Sequence, residues 1–217
     1  MIRDSLLARE IDKLKEKLLA LGGQVERSLA LAIAAVETRD VESAKRVIDD
    51  DAAIDRMEVD VEEECLKLLA LHQPVAVDLR FIVTVLKVNN DLERIGDHAS
   101  SLAEHAILIA ERPAIGFVFD FPVMARKAQA MLKQSLDALV FQDGELAMRV
   151  RASDDEIDEI NKNMYRAVER EIMRQPDRTP VYTNHIGVSR CLERVADLAT
   201  NIAEDVIYLT TGQIARH

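Results

Sequence analysis

Two stretches of this 217-residue chain set carboxylates four residues apart between apolar residues spaced for a helix. DLERIGDHASSLAE (91–104) carries Glu93 and Asp97, and CLERVADLATNIAE (191–204) carries Glu193 and Asp197, with Asn201 four residues further on. Like charges at i and i+4 cost an isolated helix ~0.2–0.5 kcal/mol, and the sequence accepts that cost twice. A second acidic row runs through Asp51, Asp55, Glu58 and Glu62, with Asp154 and Asp158 in the matching places later in the chain. If these rows meet, carboxylates and the Asn201 amide oxygen would converge on patches suited to hard or borderline cations such as Mg²⁺, Mn²⁺, Ca²⁺ or iron. A plain solvated face competes with that expectation. With Leu92, Ile95, Ala99 and Leu102 as the core seam, Glu93, Asp97 and Glu104 lie on the outer side, as do Glu193, Asp197, Asn201 and Glu204. Arg94 and Arg194, one residue on, are expected to point away from the row and to pair poorly within it.

Other chemistries lack their residues. A di-iron oxidase bundle needs Glu-x-x-His on two helices, and none of His72, His98, His105, His185 or His217 has Glu three residues before it. No Cys-x-x-Cys, His-x-x-x-His, phosphate-cradling glycine loop or nucleophile elbow occurs. Ser100 and Ser101 follow His98, but adjacent residues of a helix point apart, so they do not make a nucleophile and base. His98 reads as a surface or groove residue rather than a ligand.

The elements that must position the acidic rows are helices. Leu7, Ile11, Leu14, Leu18, Leu21, Val25, Ala32 and Val36 step by threes and fours, which predicts a helix over 4–37. Gly22 and Gly23 inside it mark a bend or a close helix approach. Prolines 74, 113, 122, 176 and 180 fall between periodic segments and divide the rest into helices over 41–72, 75–111, 122–141, 145–174 and 181–211. GFVFDFP (116–122) is the aromatic link between halves. The seam Leu92, Ile95, Ala99, Leu102, Ala106, Ile109 returns as Leu192, Val195, Ala199, Ile202, Val206, Leu209, and Asp55 and Gln73-Pro74 return as Asp158 and Gln175-Pro176. A steady register of this kind is a duplicated unit. The expected fold is all-α: two tandem antiparallel three-helix bundles related by a pseudo-twofold, over 1–113 and 120–217.

The formal charge of −11 argues against nucleic acid or an anionic membrane surface as partner. Cys65 and Cys191 sit in helical patterns and are expected reduced and buried. The charged N-terminus is no signal peptide, and no run of eighteen uninterrupted apolar residues suggests a membrane span, so a cytoplasmic protein is expected.

Three stretches give a resemblance: LALHQPVAVDLRFI (69–82), NNDLERIGDHASSLAE (89–104) and LERVADLATNIAEDVIYLTTGQIARH (192–217). Together with the segment before them, they resemble the PhoU family of phosphate-uptake regulators. The resemblance implies multinuclear metal clusters on the bundle surface, often iron, with Mg, Mn or Zn as other occupants. Carried over by motif, it points to Glu93 and Asp97 in one site and Glu193, Asp197 and Asn201 in the other. Ser101 stands where the family often shows Asn, and Leu198 where the first motif keeps His98. The resemblance also implies a homodimeric repressor of the phosphate-starvation response. It would join a phosphate ABC transporter to a phosphate-sensing histidine kinase and carry out no catalysis itself. A helical interaction module without metal is the alternative, and a metal-dependent phosphohydrolase the third reading.

Overall fold

The structure is a computed structural model describing residues 5–213. Residue 4, where the first helix is expected to begin, and residues 214–217, including His217, lie outside it. Among the described residues there is no strand. The helices are α1 (Ser5–Thr38), α2 (Val41–His72), α3 (Ala76–Ala110), α4 (Phe121–Phe141), α5 (Gly144–Ala152), α6 (Asp154–Arg174) and α7 (Thr179–Thr211), with a 3-10 turn at Pro176–Arg178.

Each boundary has a local cause. Arg39 takes the left-handed conformation (φ 59°) after α1, and Asp40 then caps α2 by accepting from the Glu42 and Ser43 amides. Gln73 is left-handed (φ 44°) at the end of α2, and Pro74 follows it. Asp120 accepts from the Val123 amide with Pro122 in the first turn of α4, and Asp143 accepts from the Leu146 amide to start α5. The Arg39 guanidinium donates to Ile109 O (2.7 Å) and Ala110 O (3.1 Å), the last carbonyls of α3, and to Arg112 O just beyond it.

One helix departs from expectation. The segment predicted as continuous over 145–174 is two helices broken at Ser153. Its hydroxyl donates to Arg149 O (2.9 Å) and its amide to Val150 O (3.0 Å), closing α5. Asp154, Asp155 and Glu156 then fill the first turn of α6, where the helix dipole favours acids.

Helices α1 to α3 form one bundle; α4, the broken α5–α6 arm and α7 form the other. The predicted seam residues of α3 and α7 are all buried. These two helices also pack on each other and run antiparallel. Lys87 near the start of α3 pairs with Asp205 near the end of α7 (2.6 Å), and His105 near the end of α3 meets Asn184 (3.3 Å) near the start of α7. A single apolar core therefore runs from α1 through α7. A smaller one joins Met164, Val168 and Tyr182 to the linker residues Ile115 and Val118. Gly22 is a close approach: a methyl there would lie 3.1 Å from Leu136 of α4. Both cysteines are free and buried. By length and composition α1 alone, among the described residues, could cross a bilayer, contrary to the reading that no segment could. Half of the relevant window is buried inside the fold, as a core helix would be.

Candidate metal centre

The second repeat brings its acids together across two helices. Asp154 and Asp158, one turn apart on α6, each hold a carboxylate oxygen within 4.8 Å of one from Asp197 on α7, and of each other. Oxygens bound to one cation at ~2.0–2.6 Å are separated by up to about twice that, so these three carboxylates fit a single hard cation with little movement. Glu193, one turn back from Asp197, joins them electrostatically. Burial first, and then Asp197, push its carboxyl above the ordinary range, with Asp158 adding to the push. Asp197 is raised as well, by burial before any neighbour, with Asp158 again contributing.

Arg194 does not point away as the sequence suggested. Its guanidinium donates to Asp197 Oδ2 (2.8 Å) and approaches Glu193 Oε2 (3.6 Å), so it bridges both acids of its own motif. The long side chain lets the group reach i−1 and i+3 together, and spacing alone does not capture that reach. Arg94 keeps to the expectation for its motif: among the described residues its one ion pair is with Asp91, at 3.7 Å, outside the row. A half-open cavity of about 220 Å³ beside Asp197 is lined by Asp154, Asn201, Thr200 and both arginines. Asn201, exposed on α7, thus faces the same space as the acids.

In the first repeat α2 and α3 bring the same types together more loosely. Burial raises the Glu93 carboxyl, followed by Asp97 on its own helix and by Asp55, Glu58 and Asp51 across the interface. Asp51 is raised by burial, then by Asp97 and Asp55, while a hydrogen bond from the Ser100 hydroxyl acts in the opposite direction. Glu58 is raised by burial and by Glu62 and Asp55. The acids of α2 and α3 therefore face one another, though no three of them come as close as those of the second repeat. Ser101 does not share in these contacts.

Two residues went unnoticed in the sequence. Asn89, fully buried on α3, donates to both Glu58 O (2.9 Å) and Glu58 Oε1 (2.8 Å) and so anchors α2's acidic row against α3. Asn161 of α6 accepts from the Ser189 hydroxyl of α7 (2.8 Å). An asparagine on the core seam between Val85 and Leu92 was the available signal. His98 is half-buried in the groove facing α7, and burial, then Arg94, Arg194 and Arg190, hold it below the usual histidine range.

A family model described as the PhoU domain matches residues 18–106 and 121–206, once in each repeat. The chain is 37% identical over 215 residues to the phosphate-specific transport system accessory protein PhoU homolog of Aquifex aeolicus, covering 97% of this chain and 96% of that protein. It is 38% identical over 210 residues to the Pseudomonas aeruginosa homolog, covering 96% and 86%. Its fold resembles the crystal structure of PhoU from Pseudomonas aeruginosa, with a TM-score of 0.91, 37% identity, and 95% and 99% of the two chains covered. It also resembles the phosphate transport system regulatory protein PhoU from Streptococcus pneumoniae, with a TM-score of 0.86, 28% identity, and 97% and 100% covered.

Proposed function

This chain belongs to the PhoU family, a family of phosphate-transport accessory proteins rather than enzymes, and from that premise we propose that it is a metal-binding regulatory adaptor. In this reading it is a cytoplasmic homodimer that represses the phosphate-starvation response and modulates uptake, docking a phosphate ABC transporter and a phosphate-sensing histidine kinase. The observation that carries it is that both repeats turn acids of neighbouring helices toward one another. Burial first, and then the neighbouring and facing acids, raise carboxyl pKa values in each repeat, so the layout carries an electrostatic cost. Asp154, Asp158, Asp197, Glu193 and Asn201 would hold the second-repeat metal, and Glu93, Asp97, Asp51 and Asp55 the first. A bound cation or multinuclear cluster, iron among the candidates, would supply the positive charge that offsets their repulsion.

One observation favours a metal-free interaction module instead. Arg194 already neutralises part of the second row. Metal analysis of the full chain purified without chelator, set beside a Glu93→Ala, Asp97→Ala, Glu193→Ala, Asp197→Ala variant, separates the two readings. Bound metal lost in the variant supports the adaptor with metal, and equally low metal in both overturns that part. Affinity capture from phosphate-replete and phosphate-starved cells tests the rest. Recovery of neither the transporter ATPase nor the kinase under both conditions would overturn the signalling role.

A further inference from the structure

A second cavity, of about 410 Å³, opens where the linker between the bundles passes α6 and the start of α7. Its wall carries Arg170 of α6 and Arg178 of the 3-10 turn, and neither guanidinium has a hydrogen-bond or ion-pair partner among the described residues. The acid on the same wall, Glu171, is already paired with Arg174 at 3.1 Å. Tyr182 also lines the cavity. It is 3% exposed, and its hydroxyl makes no hydrogen bond among the described residues. The Tyr182 ring is packed away while its hydroxyl keeps access to solvent at the cavity, beside two exposed guanidinium groups that have no partner among the described residues. The rest of the wall is the apolar linker around Ile115 and Val118.

We propose that this cavity is an anion site for a phosphate group, clamped by Arg170 and Arg178 and hydrogen-bonded by the Tyr182 hydroxyl. Arginine suits the role because its planar fork matches phosphate oxygens in pairs. The volume falls in the range of small-ligand sites, and the apolar linker would cover the organic body of a phosphate monoester. The site lies on the arm and linker of the second bundle, away from the carboxylates of α6 and α7, and does not depend on their binding metal.

Isothermal titration of the full-length chain with inorganic phosphate and, separately, with AMP tests it. Saturable binding of either probe is expected. An Arg170→Ala, Arg178→Ala variant should weaken it at least about tenfold, and Tyr182→Phe a few-fold. Binding of phosphate alone would mark a site for the inorganic ion, and binding of AMP alone a site for an organic monoester. Both arginines are exposed, so the double variant should keep its helical circular dichroism. Absence of saturable binding of either probe at millimolar concentration, or equal affinity in the folded double variant, would overturn the proposal.

Discussion

Asp158 of α6 and Asp197 of α7 hold carboxylate oxygens within 4.8 Å of each other across a helix interface, with Arg194 bound to Asp197 Oδ2 (2.8 Å) and offsetting part of their repulsion. Without a metal ion the repulsion that Arg194 leaves uncompensated remains; with one the two carboxylates are a ligand pair. Asp158→Asn therefore has effects of opposite sign. In chelator the variant should melt about 1–2 °C higher than the wild type, which corresponds to ~0.5 kcal/mol in a chain of this length. With Mn²⁺ added, the upward shift shown by the wild type should shrink or vanish. Differential scanning calorimetry under both conditions reads both effects.

Asp91 is buried on α3, and burial, aided by Asp205, pushes its carboxyl up to about 6 against the opposing pull of Arg94 and Lys87. The folded chain keeps this proton where the unfolded chain, with the ordinary aspartate value of 3.8, has released it. Stability supplied below that value is lost as pH rises through about 6. Asp91→Asn should therefore stabilise the protein near neutral pH by on the order of 1–3 kcal/mol and be nearly neutral at about pH 4. Urea denaturation at the two pH values checks the difference.

His185 contributes a slope of the opposite sign. It is 1% exposed, its ring lies 4.4 Å from that of Phe117, and burial pushes it down to about 4. The unfolded histidine takes a proton near 6.5 that the folded one refuses, so stability is lost as pH falls from about 6.5 towards 4. His185→Phe should remove that loss, with the gain relative to wild type growing to ~2 kcal/mol near pH 5. Because the Asp91 and His185 windows overlap, the wild-type profile should be flatter than that of either single variant.

Gly187 on α7 lies under the His105 ring of α3, and a methyl built there would overlap the ring. His105 would have to swing away from Asn184, which it meets at 3.3 Å. Gly187→Ala should cost about 1 kcal/mol. In a His105→Ala background most of that cost should disappear, and a double-mutant cycle by chemical denaturation measures it.

Much of this was legible because helix seams are written locally. Leu92, Ile95 and Ala99, and their counterparts Leu192, Val195 and Ala199, give the period directly, and all are buried. Proline and the cap acids Asp40, Asp120 and Asp143 mark the boundaries. The facing of Asp55 with Glu93, and of Asp158 with Asp197, followed from asking what the repeat would bring together. The break at Ser153 was not legible, because a serine inside a helix pattern either points to solvent or bonds back to the preceding turn, and only packing decides. Arg194's double contact depends on a rotamer. The cavity around Arg170, Arg178 and Tyr182 joins three elements distant in sequence.

The antiparallel contact of α3 with α7 bears on how the duplication could have arisen. Each helix covers an apolar flank of the other, so a half-length ancestor with one repeat would have left that flank bare. Such a molecule would have had to pair with a copy of itself, and fusion of the two genes would have made the pairing permanent. On that account, severing the present chain in its linker should leave halves that reassociate, rather than two independent folding units.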